Sequence, residues 1–119
     1  MTTILRLFAW CLAAAVTFAT LGPARYRPHA AAVTHAGEHA LAFVLIGIAF
    51  ALAYPRHRWP VAGISVVLIG ILELLQLLVP GRHARVEDFV VDALTACAGM
   101  ALVATTDWLA RSYWRTNTP

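Results

Sequence analysis

Apolar residues dominate four stretches of the chain, and polar or helix-breaking residues separate them. The stretches cover about residues 5–22, 37–54, 60–79 and 87–106. Each is close to the roughly 20 residues that a helix needs to cross the hydrocarbon core of a membrane. Proline or glycine ends the first three stretches, and the two later loops are short, so consecutive helices should run antiparallel. The pattern predicts four transmembrane helices.

Composition decides between membrane helices and the buried helices of a soluble core, which have the same pattern. Of the 119 residues, 61% are apolar and 13% are charged. Soluble domains contain about 45–50% apolar and about 25% charged residues. Four apolar stretches with little between them leave no polar surface for a soluble fold. We therefore predict an all-α protein with one domain, residues 1–119, folded as a four-helix transmembrane bundle.

The first apolar stretch has a rival interpretation. Arg6, the apolar run and the small residues after it resemble a secretory signal peptide. The run is long for the apolar region of such a peptide, and no clear Ala-x-Ala cleavage site follows it. We keep this stretch as the first spanning helix.

Arginine gives a weak indication of orientation, because positive residues favour the cytoplasmic side. The two termini and the second loop hold Arg6, Arg56, Arg58, Arg111 and Arg115, and the other two loops hold Arg25, Arg27, Arg82 and Arg85. If Arg82 belongs to a site, the balance favours cytoplasmic termini. The net charge of +3 and the absence of lysine give no patch for nucleic acid, so no nucleic-acid partner is predicted.

Polar side chains gather at one end of the predicted bundle. The second span opens with His39, the third ends with Glu73 and Gln76, and the fourth opens with Asp88 and Asp92. In an antiparallel arrangement these positions lie on the same side of the membrane. The opposite ends, around Tyr54 and Thr106, carry no comparable cluster. The sequence therefore predicts a polar pocket that opens on the side away from the termini.

Helical spacing indicates how these residues face. Asp88 and Asp92 are four apart and Glu73 and Gln76 three apart, so each pair shares a helix face. Glu73 lies roughly 10 Å along the helix axis from Pro80. An ionisable residue at that depth usually faces the bundle and pairs with another group. We expect Asp88, Asp92 and Gly99 to face the bundle, and Phe89 and Val90 to face lipid.

Four glycines within the apolar stretches have a structural interpretation. Small residues let transmembrane helices approach closely. We expect this role for Gly47, Gly63, Gly70 and Gly99.

The segment His35-Ala36-Gly37-Glu38-His39 matches H-x-x-E-H, the pattern of inverted zinc peptidases. Gly37 and the adjoining loop should keep His35 out of the helix, and no motif supplies a third ligand. The sequence therefore predicts no metal site and no cofactor.

The ordered set of motifs resembles the VanZ-like family of small bacterial membrane proteins. It consists of His39-Ala40-Leu41-Ala42-Phe43, Glu73-Leu74-Leu75-Gln76, Pro80-Gly81-Arg82, Asp88 and Asp92, with Gly99 beyond. The resemblance covers residues 38 to about 103. Three positions depart from the family pattern. Glu38 precedes the histidine, Thr95 replaces a glycine, and Asp92 stands where asparagine is common.

The resemblance implies a bacterial inner-membrane protein, with a possible link to the cell envelope or to glycopeptide-antibiotic response. We expect a ligand site made of His39, Glu73, Gln76, Arg82, Asp88 and Asp92, and the sequence assigns no catalytic residue. The planar fork of Arg82 suits a phosphate or carboxylate, so the expected ligand is an anionic lipid headgroup or a lipid-linked envelope precursor.

Two other functions stay open. The protein could be an enzyme acting on a lipid-linked phosphate, with His39 or Glu73 as acid or base, Arg82 on the phosphate and Asp88 with Asp92 on a divalent cation. It could instead be an accessory subunit of a membrane-protein complex, in which the polar residues only join helices. No activated Ser or Cys nucleophile supports the enzyme.

Overall fold

A computed structural model describes residues 1–22, 35–80 and 85–117. These residues form four helices and no strand: α1 (Thr2–Leu21), α2 (His35–Ala53), α3 (Arg58–Gln76) and α4 (Val86–Asn117). The prediction of an all-α helical bundle is confirmed.

Helix boundaries follow the local sequence. The backbone N–H of Gly22 donates to Phe18 O at 2.6 Å and closes the last turn of α1. Ala53 ends α2 two residues before Pro55, because the residue that precedes a proline is disfavoured in a helix. Pro60 lies in the first turn of α3, where its missing N–H has no intrahelical partner to lose.

Three of the four helices are long and apolar enough to cross a membrane: α1, α3 and α4. The apolar part of α2, Gly37–Ala53, is slightly shorter. At 1.5 Å per residue, the 32 residues of α4 extend about 48 Å, well beyond the ~30 Å of hydrocarbon. The helix therefore continues past Thr106, where the fourth apolar stretch ends.

Contacts between side chains define the direction of each helix. The His39–Asp92 bond joins the starts of α2 and α4, so these two helices run in the same direction. Arg58 at the start of α3 pairs with Asp107 late in α4, so α3 runs opposite to α4.

The most extensive interhelix packing is between α2 and α4. At the crossing, a methyl group on Gly47 would collide with the backbone carbonyl of Ala96, and one on Gly99 with that of Val44. The prediction of close packing is confirmed at these two glycines. It is wrong for Gly63, whose added Cβ would meet nothing within 4 Å.

The face of α4 differs in part from the expected one. Asp92 and Gly99 are buried, and Val90 is exposed, as predicted. Phe89, which we expected to face lipid, instead packs against the core and lies 3.4 Å from the position of a Cβ on Gly70. Residues 89, 92, 96, 99 and 103 repeat at alternating intervals of three and four, which places Phe89 on the buried face.

Candidate functional site

A hydrogen bond joins His39 of α2 to Asp92 of α4. His39 Nδ1 lies 3.2 Å from Asp92 Oδ2. An ionised carboxylate can only accept, so with Asp92 ionised this bond places a proton on Nδ1. The Asp92 side chain is 3% exposed and that of His39 is 20% exposed. The aspartate is therefore the buried member of the pair, and the histidine is its partly accessible partner.

The second oxygen of Asp92 is unusual. Oδ1 is buried and has no hydrogen-bond partner among the residues that the structure describes. An unsatisfied buried acceptor costs about 1–3 kcal/mol. Protons, ligand hydroxyl or ammonium groups and cations can all satisfy such an oxygen. Asp92 therefore has binding capacity that its bond to His39 does not use.

Glu73 is also buried, and both of its carboxylate oxygens accept hydrogen bonds. Gln76 Nε2 donates to Oε2 at 2.9 Å, within the same helix. The backbone N–H of Arg85 donates to Oε1 at 2.7 Å. Glu73 thereby ties the end of α3 to the residue just before α4. The pairing of Glu73 with Gln76 follows from their spacing, whereas sequence reasoning missed the bond from Arg85.

The remaining two predicted site residues are less defined. Asp88 is half-buried and lies one helical turn before the buried Asp92 on α4. Arg82 lies outside the described residues. The neighbouring Arg85 has a side chain that is 66% exposed and lies 4.0 Å from Glu87, which is a weak surface contact.

The described site residues thus form two groups at the same end of the bundle. His39 and Asp92 connect α2 to α4, while Glu73 and Gln76 connect α3 to the segment before α4. That these groups line one shared pocket stays a prediction.

The opposite end also holds polar interactions, contrary to the expectation that it would carry no comparable cluster. Arg58 pairs with Asp107, and the Arg58 side chain is 19% exposed. Trp10 Nε1 donates to the hydroxyl of Tyr54 at 3.2 Å, and the Arg6 guanidinium lies 5.0 Å from the centre of the Tyr54 ring. The ion pair could have been predicted from the sequence, because antiparallel α3 and α4 place Arg58 and Asp107 at the same end of the bundle.

In the described segments, the His, Cys, Asp and Glu side chains form no group of three or more that could hold a metal ion. The expectation that His35 lies outside the helix is wrong, since α2 begins at this residue.

Comparison with known sequences identifies the family. A sequence model of the VanZ/LLP1 family matches residues 3–109. The chain belongs to the VanZ/LLP1 family. The resemblance inferred from His39, Glu73, Gln76 and the two aspartates is therefore confirmed. No curated protein and no solved structure matches the chain.

Membership in the VanZ/LLP1 family and the apolar helices together make this a membrane protein. The match covers α2 and α3 completely, α1 from its second residue, and α4 as far as Leu109. All six predicted site residues lie within the matched part.

Proposed function

We propose that this VanZ-like protein of the bacterial inner membrane binds an anionic lipid headgroup, or a lipid-linked cell-envelope precursor, at its polar end. The observation that carries the proposal is the buried Oδ1 of Asp92, which lacks a partner among the described residues. A glycerol or sugar hydroxyl on the headgroup supplies the missing donor. The phosphate of the same headgroup binds Arg82. A role in envelope or glycopeptide-antibiotic response would follow from such binding.

Five of the six side-chain carboxylates of the chain lie at this end, and they would repel an anion unless they were neutralised. Asp92 accepts from His39, and Glu73 accepts two hydrogen bonds. Protonation of His39 would neutralise the Asp92 pair. Arg82 and the exposed Arg85 add two positive charges in the sequence just before α4, which favours a phosphate at this end.

Arg82→Gln tests the ligand role. A charge-assisted hydrogen bond contributes about 1.5–3 kcal/mol, so binding should weaken about tenfold or more. The measurement is native mass spectrometry of anionic lipids bound to the purified protein, beside its membrane level and thermal stability. Arg111→Gln, on the exposed part of α4, is the matched control.

Two results would contradict this assignment of Arg82. Normal folding with full lipid binding would remove it from the site. A destabilised protein would instead make Arg82 the partner of a buried carboxylate, as in a structural ion pair.

Orientation gives a second expected result. With four spans and cytoplasmic termini, reporters fused after Pro28 and after Pro119 should lie on opposite sides of the membrane. The physical reason is that the arginines of the termini and second loop favour the cytoplasm. Reporters on the same side would refute the four-span topology, and reporters on exchanged sides would refute the orientation.

The His39–Asp92 pair also favours a second candidate function, that of a membrane enzyme acting on a lipid-linked phosphate. A buried aspartate that fixes the proton on Nδ1 orients the histidine for acid or base chemistry at its other nitrogen. Turnover of bacterial lipid-linked intermediates by the purified protein would support this candidate, and binding without turnover would exclude these substrates.

A further inference from the structure

A groove of about 500 Å³ lies between α1, α2 and α3. Its walls are mainly apolar and include Val16 of α1, Phe43 and Ile46 of α2, and Leu68 and Leu72 of α3. The groove exists because α3 packs much less closely on α1 and α2 than α4 packs on α2. Its volume is within the ~300–1,000 Å³ range of small-molecule sites.

One end of the groove adjoins the polar residues. Phe43 follows His39 by one helical turn, and the centroids of their rings are 6.3 Å apart. On α3, Leu72 and Leu75 line the groove and flank Glu73 in sequence. A molecule with its polar group near His39 or Glu73 could therefore extend an apolar part directly into the groove.

The other end contains polar and aromatic groups. Trp10 and Tyr54 line it and are joined by the hydrogen bond from Trp10 Nε1 to the Tyr54 hydroxyl. The Arg6 guanidinium lies against the Tyr54 ring. From Phe43 to Tyr54 the groove runs about 16 Å along α2. These groups mark the end of the groove, because tryptophan, tyrosine and arginine side chains favour the membrane interface over hydrocarbon.

We propose that the groove holds a single hydrocarbon chain of the lipid whose anionic headgroup binds at the polar end. This inference rests on the proposed function of that end. The apolar walls continue into the polar end at Phe43 and Leu72, so the groove and the polar end together match a molecule that has both a polar headgroup and an apolar chain, as a lipid has. The ligand class is therefore a phosphate-bearing lipid, and its chain is held as far as Trp10 and Tyr54.

The groove and the polar end contribute differently to binding. A chain that enters from the bilayer leaves surroundings as apolar as the groove, so transfer from water adds no driving force. The headgroup therefore supplies most of the selectivity. The groove positions the chain and limits how much of it the helices cover.

Photolabelling tests this arrangement on the intact protein in phosphatidylcholine nanodiscs. The probe is 1-hexadecyl-glycerol 3-phosphate, which carries both a glycerol hydroxyl and a phosphate, with a diazirine near the end of its chain, and labelled peptides are identified by mass spectrometry. We expect label on groove residues near Trp10 and Tyr54, such as Ala13, Phe50 and Val61. The unlabelled form of the same lipid should suppress it, whereas hexadecanol should not, because hexadecanol lacks the headgroup.

Two variants of α3 form a matched pair. Ser65 lines the groove, and Ser65→Phe should fill it and abolish the groove label. Gly63 faces open space, since a Cβ there would meet nothing within 4 Å, so Gly63→Phe should keep the label. If Ser65→Phe fails to reach the membrane, the positions of the label on the wild-type protein show whether the chain lies in the groove.

Each other outcome overturns the inference in a distinguishable way. Phosphate-dependent binding with label only on exposed residues such as Leu41 and Val67 would show that the chain does not lie in the groove. The proposed function would still hold. Groove label that hexadecanol suppresses equally would show a chain site without a headgroup site, and both proposals would fail. No specific label anywhere would also reject both.

Discussion

Gly99→Ala should destabilise the protein, although alanine in a helix is normally favoured over glycine by about 0.5–1 kcal/mol. The added methyl group would collide with the backbone carbonyl of Val44 and lie 3.1 Å from Ile48 N. Neither atom belongs to a movable side chain, so α2 and α4 would have to separate. Overpacking of this kind costs about 1–3 kcal/mol. Thermal unfolding in detergent and the level of protein in the membrane both measure the effect.

Two further glycine variants make this result specific. Gly47→Ala should also destabilise the protein, because its methyl group would collide with the backbone of Ala96 where α2 crosses α4. Gly63→Ala should be neutral or stabilising, because nothing lies within 4 Å of its added Cβ. Equal effects at Gly63 and Gly99 would mean that close packing of α2 on α4 does not govern stability.

The sequence predicted the helices well because their signals are local. Apolar stretches of nearly membrane length, with Pro55 and Pro80 between them, gave the four elements and their order. The fourth helix was underestimated because Asp107 was taken to close its apolar stretch. No proline or glycine follows Asp107 before Asn117, so the backbone continues as a helix once it leaves the apolar region.

Side-chain directions were harder to predict, because they depend on the rotation of each helix about its axis. Turning both aspartates of α4 inward implied that Phe89 faced lipid. The structure instead buries Asp92 and leaves Asp88 only half-buried, and this rotation brings Phe89 against α3. The local sequence around a glycine likewise does not show whether it lies where two helices cross, as Gly99 does, or in open space, as Gly63 does.

The site was predictable as a location and not as a set of bonds. Antiparallel helices with polar residues at corresponding ends were enough to place His39, Glu73 and Asp92 at one end. The sequence does not show that His39 pairs with Asp92, or that the backbone of Arg85 satisfies Glu73. Those contacts depend on distances between helices that are remote in sequence.

The largest effect expected at the site itself is for Asp92→Leu. Leucine removes the acceptor for His39 Nδ1, which costs about 1–3 kcal/mol, but it also removes the unsatisfied Oδ1, which offsets part of that cost. The 20% exposure of the His39 side chain lets water recover part of this cost, so we expect the lower half of that range. Thermal unfolding of the purified protein measures the loss.

Asp92→Asn is the matched control, because its side-chain oxygen still accepts from His39 while the buried negative charge is gone. We expect this variant to fold nearly as well as the wild type and to keep lipid binding, since a headgroup hydroxyl can accept from the new amide N–H and one repelling charge is removed. Asp92→Leu offers neither group and should bind the lipid more weakly. A double-mutant cycle with His39→Phe and Asp92→Leu gives the strength of the pair. The double variant should be more stable than the sum of the single losses predicts, because neither polar group is then left without a partner. Additive losses would show that the His39–Asp92 bond does not stabilise the bundle, and full lipid binding by Asp92→Leu would show that Asp92 is not part of the ligand site.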